Sequence, residues 1–175
     1  MDDPEIKNTQ DLGKVMAILA WVMVLVLLGM FFNYWNKKHH LSNESAIINA
    51  QGEPETRITR NIQNQYVVNG TINGKKVTFL IDTGATDVVI PGSVAKDLNL
   101  NKGYEGRAHT AGGIVTIYST VIDELTFGNI KLLKVNASIN PKYGGDEVLL
   151  GMSALRRLHF VQENDAITLS VRKKK

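Results

Sequence analysis

The chain has 175 residues, a formal net charge of +3 and no cysteine, enough length for one globular domain with short extra segments. Without cysteine, disulfides, thiol catalysis and thiolate metal sites are excluded. His39, His40, His109 and His159 lack metal-ligand spacing, and basic and aromatic residues do not interleave, so neither a metal site nor nucleic acid is indicated.

Residues 1–14 form a short charged N-terminal segment. Residues 15–32 then carry no charge at all, close to the length at which a helix crosses about 30 Å of hydrocarbon. Tyr34 and Trp35 suit an interfacial aromatic belt, and Lys37 and Lys38 suit the head-group zone. A transmembrane anchor helix is therefore predicted over residues 15–35. A cleaved signal peptide fits less well, because the apolar run is long and no small-x-small pattern follows directly. Lys7 and Lys14 before the helix balance Lys37 and Lys38 after it, so charge does not choose an orientation. Residues 36–64 are rich in Asn, Gln, Ser and Glu and hold no sustained apolar period. They are predicted to be a flexible linker, with a short docking strand at Ala46-Ile47-Ile48 as the alternative.

Short strands follow. Residues 66–72 and 77–81 flank Asn73-Gly74, a hairpin signal. The second strand, Val77-Thr78-Phe79-Leu80-Ile81, runs into Asp82-Thr83-Gly84-Ala85, and Thr86-Asp87-Val88-Val89-Ile90 leads away. An acid at the end of a core strand is costly unless it shifts its pKa or finds a partner. Asp and Gly are also ordinary turn formers, so a plain hairpin turn stays open. Residues 91–98 read as a helical turn. Residues 103–111 and Ile114-Val115-Thr116-Ile117-Tyr118 flank Gly112-Gly113, which predicts a hairpin tip there. Residues 121–127 and 130–137 flank a turn at Gly128-Asn129. Val148-Leu149-Leu150-Gly151-Met152 is an apolar strand running into glycine, followed by a short helical stretch over residues 153–158. Ile167-Thr168-Leu169-Ser170-Val171 closes the folded part, before a basic tail over residues 173–175. Strands at this spacing indicate a small all-β barrel or sandwich.

Two of these motifs, apolar-apolar-Asp-Thr-Gly-Ala and the downstream apolar-apolar-Gly, resemble the signatures of retropepsin-like aspartic proteases. That resemblance implies an all-β fold: a small closed barrel, half of an acid protease, with a short C-terminal helix over residues 65–172. Asp82 would be the catalytic carboxylate, with Thr83, Gly84 and Ala85 supporting the loop. Leu150 and Gly151 would pass behind it, and Thr110, Ala111, Gly112 and Gly113 would be the tip of a substrate-covering flap, where relatives usually carry Asn-Gly. The chemistry needs two carboxylates sharing a proton, and only Asp82 has the required context. Asp87, Asp97, Asp123, Asp146 and Asp165 do not. The implied assembly is a homodimer with Asp82 from each chain at the two-fold axis. The implied substrate is an extended polypeptide, with no metal and no organic cofactor. Membrane-anchored bacterial relatives suggest a single-pass inner-membrane protein with its protease domain in the periplasm. Two rivals remain: a catalytically silent binding or adaptor module of the same fold, and an unrelated β-barrel in which Asp82 is only a turn residue.

Overall fold

The computed structural model describes residues 4–39, 43–48 and 54–172, so the predicted basic tail lies outside the described residues. The chain divides into two compact units, Met1–His40 and Leu41–Lys175. The first holds one helix, α1 (Pro4–His39), longer in both directions than the 15–35 span read from the sequence. Within it, the 20 residues Gly13–Phe32 are strongly hydrophobic, with Lys14 their one charge, and none is buried. At 1.5 Å per residue that stretch is about 30 Å long.

The second unit is mostly β. Its strands are β1 (Asn43–Ile48), β2 (Pro54–Thr59), β3 (Val67–Ile72), β4 (Lys75–Ile81), β5 (Val88–Pro91), β6 (Glu105–Thr110), β7 (Gly113–Phe127), β8 (Ile130–Asn140), β9 (Glu147–Leu150), β10 (Leu158–Glu163) and β11 (Ala166–Val171). Two short helices, α2 (Gly92–Asp97) and α3 (Met152–Leu155), interrupt them. One sheet runs β3-β4-β9-β5-β8-β7-β6, and β3 also pairs with β7. That extra pairing closes six strands into a barrel and leaves β6 as an outlying edge, so the pattern read as barrel or sandwich resolves to a closed barrel. Closure removes the free edges that an open sheet would expose.

Local chemistry explains the hairpins. Asn73 and Gly74 hold φ of 50° and 79°, the primed-turn geometry that matches strand twist. The barrel is filled by Phe79, Ile90, Ile122, Leu125, Phe127, Ile139, Val148 and Leu150, each at most 1% exposed. Phe79 and Phe127 meet edge to face, with ring centroids 6.1 Å apart. β7 is one continuous strand from residue 113 to 127, so the two hairpins read separately from the sequence share it.

Within residues 36–64, predicted as a flexible linker, the described segments 43–48 and 54–59 are instead strands of a second sheet, β1-β2-β11-β10. Residues 43–48 and 54–59 are paired strands, and Thr56 and Ile58 are fully buried. The segment is polar overall, but its alternation puts Thr56 and Ile58 on one inward face. Ile58 joins Ile167 and Leu169 in the same apolar cluster as the barrel core. Thr56 Oγ1 accepts a hydrogen bond from the Asn129 backbone N–H at 3.1 Å, tying this sheet to the β7–β8 turn. The C-terminal helical stretch is also shorter than residues 153–158. α3 is a single turn, and Leu158 already opens β10.

Candidate active site

Asp82 follows β4 directly. β9 lies parallel to β4, with Ile81 opposite Leu150, and the Asp82 N–H donates to the Leu150 carbonyl at 3.3 Å. The loop then curls over its own carboxylate. Gly84 N–H donates to Asp82 Oδ1 at 2.9 Å, and Ala85 N–H donates to the Asp82 carbonyl at 3.3 Å. A backbone donor on the anionic form fixes the direction of that carboxylate. Asp82 is half-buried, whereas Thr83 and Gly84 are exposed. Thr83 makes no side-chain hydrogen bond among the described residues.

The return limb of the loop is held by the segment after β9. Met152 N–H donates to the Ala85 carbonyl at 2.8 Å, and Ser153 N–H donates to the Thr86 carbonyl at 2.9 Å. A Cβ on Gly151 would stand 2.1 Å from the Asp87 carbonyl oxygen and 2.7 Å from that of Ala85. Only a residue without a side chain permits this approach. The structure thus brings Leu150 and Gly151 into contact with the Asp82-Thr83-Gly84-Ala85 loop.

Two contributors were not read from the sequence. Ser153 Oγ accepts from the Val88 N–H at 2.9 Å and donates to the Asn136 carbonyl at 2.7 Å. Tyr143 lies in the loop between β8 and β9, where Asn140 Oδ1 accepts from the N–H groups of Lys142 and Tyr143 at 3.0 and 3.2 Å. Burial pushes the Tyr143 hydroxyl above its ordinary pKa, and the negative charges of Glu147 and Asp82 push the same way. Tyr143 therefore stays a neutral hydroxyl within the electrostatic reach of Asp82. Ser153 and Tyr143 gave no motif; Asn140, immediately before the Pro141–Lys142 turn, is the one local sign.

The hairpin predicted to be a flap is built from β6 and the start of β7. Thr110 pairs with Gly113, so the turn itself is Ala111-Gly112, one residue earlier than Gly112-Gly113. Gly113 has φ +108°, and Thr110 Oγ1 donates to the Gly113 carbonyl at 2.8 Å. All four tip residues are exposed, and no recorded hydrogen bond joins them to the Asp82 loop among the described residues.

The other acids serve elsewhere. Asp123 pairs with Lys134, and Asp165 faces Arg60 at 3.9 Å. Asp87 lines a groove of about 730 Å³ with Asn99, Tyr104 and Asn136, and that groove does not include Asp82. Among the described residues no cluster of three or more His, Cys, Asp or Glu could hold a metal ion. One chain supplies one carboxylate at the Asp82 loop.

Residues 68–157 match the gag-polyprotein putative aspartyl protease family, a span that runs from β3 past α3 and contains both motifs. The chain belongs to this family. A Sinorhizobium protein described as an uncharacterized protein in the cobV 5' region is 26% identical over 119 residues, covering 66% of this chain and 51% of that protein. The chain thus spans about half the length of that curated relative. The crystal structure of a retropepsin-like aspartic protease from Rickettsia conorii matches with a TM-score of 0.58 at 24% identity, over 66% of this chain and 98% of that one. The latter likeness establishes the retropepsin-like fold, and the apolar helix and all four strands of the second sheet lie outside the family span.

Proposed function

We propose that this protein is a membrane-anchored aspartic endopeptidase, active as a homodimer that brings two copies of Asp82 together at its axis. The observation that carries this is the half-built site: one half-buried carboxylate, oriented by Gly84 N–H, on a loop locked from behind by Gly151 and Ser153. A second copy related by two-fold symmetry supplies the missing carboxylate from the same position.

In that arrangement two like charges a few Å apart cannot both ionise, so the pair holds one shared proton. The ionised carboxylate takes a proton from a water as it attacks the scissile carbonyl. The protonated carboxyl donates to the carbonyl oxygen, giving a diol; the other carboxyl then passes the proton it took from water to the leaving amine as the C–N bond breaks, and a diol hydroxyl returns its proton to the pair. Thr83 and Gly84 support the loop at the axis, and the exposed Thr83 hydroxyl is available to a partner loop. Thr110, Ala111, Gly112 and Gly113 close over an extended polypeptide and pair with its main chain. The residue 15–35 segment holds the chain in a bacterial inner membrane with the β-domain on the periplasmic side. No metal or organic cofactor enters this chemistry.

The test is cleavage of an unstructured protein such as casein by the full chain in detergent micelles, across about pH 3 to pH 8, beside Asp82→Asn. Asp82→Asn keeps an oxygen to accept from Gly84 and should fold normally while losing at least about 10²–10⁴-fold in rate. A folded, dimeric protein that cleaves nothing at any pH would instead favour a silent binding or adaptor module. Equal cleavage by both forms would remove Asp82 from the mechanism.

A further inference from the structure

The β-domain carries a basic face whose three arginines form no ion pair among the described residues, although Glu55 lies opposite Ser170, two residues before Arg172. Arg156 and Arg157 close α3 and lead into β10, while Arg172 follows β11. The fold gathers them, because Arg172 N–H donates to the Arg157 carbonyl at 3.1 Å and Leu158 pairs with Val171. Arg157 Nη1 donates to the Leu133 carbonyl at 2.7 Å, adding β8 to the same face. None of the three arginines has an acidic partner among the described residues. The acids nearest in the β7–β8 ladder are committed already: Asp123 to Lys134, and Glu124 to Lys131 at 2.5 Å. Glu163 and Asp165 stand at the other end of the β10–β11 hairpin, five ladder steps away, or about 17 Å.

Apolar side chains stand among these charges. Leu133 is 53% exposed and Val171 38% exposed, and the sequence continues past Arg172 with Lys173, Lys174 and Lys175. Cations with long stems around exposed aliphatic groups match a bilayer interface, where the charge meets lipid phosphates and the apolar group enters the head-group boundary.

We propose that this face, centred on Arg156, Arg157, Arg172 and Leu133, seats the β-domain on an anionic phospholipid bilayer. The inference rests on the chain being anchored by α1, not on its being a protease. An anchored chain holds the face at high effective concentration near lipid, so weak individual contacts suffice.

The chain's lack of cysteine permits a clean test with full-length protein. A single Leu133→Cys carries a fluorophore, and Asn164→Cys at the far hairpin end is the control. Each is reconstituted in vesicles of phosphatidylcholine alone or with about 30% phosphatidylglycerol, with a head-group spin label as quencher. The expected result is strong quenching at position 133 only in anionic vesicles, lost at roughly 0.5 M salt. Arg156→Gln/Arg172→Gln should reduce it severalfold; neither side chain makes a recorded hydrogen bond, so this variant preserves the fold. Charge reversal of all three arginines should abolish it, with circular dichroism checking folding. Equal quenching in both vesicle types, or quenching unchanged by Arg156→Gln/Arg172→Gln, overturns the proposal. A shift of the position-133 signal on adding a short DNA duplex, with no contrast between vesicles, would overturn it in favour of a nucleic-acid surface.

Discussion

At the residue scale, the Asp82 loop depends on side chains far from it in sequence. Ser153 is 6% exposed, and its hydroxyl satisfies a backbone donor on β5 and a backbone acceptor on β8 at once. Ser153→Ala strands both groups, at about 1–3 kcal/mol each. We expect a loss of about 2–6 kcal/mol in urea unfolding, with a larger fractional loss of activity than Ala substitution at half-buried Thr116 or Thr168 would cause. Tyr143 gives a pH signature. Its pKa is raised from the ordinary 10.0 in the folded chain, so above that pH the unfolded chain releases a proton that the folded chain retains. Unfolding is then favoured, and stability falls as pH rises through the folded pKa. Tyr143→Phe should flatten part of that fall above about pH 10, measured by urea midpoints.

At the element scale, the strand pair β1–β2 changes where the folded unit begins. Its inward residues behave as core, and its outward ones do not. Ile58 is fully buried while Ile48 is 72% exposed. Ile58→Ala should cost about 2–5 kcal/mol through lost burial and a residual cavity, whereas Ile48→Ala should stay within about 0.5 kcal/mol. Denaturant midpoints of the two variants separate a docked strand from a tether, because a tether would be indifferent to both. The flap is the opposite case. Its hairpin is paired along Glu105–Thr110, yet residues 109–114 are all exposed, so little packing opposes its movement.

At the scale of the whole molecule, the proposed function requires a second carboxylate that one chain does not supply, which would make activity a property of the assembly. Cleavage by residues 41–175 alone should fall faster than linearly on dilution, approaching the square of concentration well below the dimer dissociation constant. The same protein tethered by residues 15–35 in vesicles should lose much less, because two dimensions hold the copies together. Linear behaviour of the free domain would show that one chain, or a different partner, completes the site.

The sequence by itself determined the parts whose signals are local. Asn73-Gly74 specified its turn through φ, residues 15–32 specified an apolar helix by composition, and Asp82-Thr83-Gly84 with Leu150-Gly151 specified the loop and the strand behind it. Only the tertiary structure decided what depends on contacts between distant segments. β3 meeting β7 closes the barrel, Gly151 has to be bare because the Asp87 carbonyl lies against it, and Ser153 reaches two strands at once. Thr56 and Ile58 sit in a polar stretch that looks unable to fold, and they are ordered because β11 offers a ladder and the barrel offers a core. A hydrogen-bond ladder and a buried face are supplied by the partner segment, so a strand's own residues do not record them.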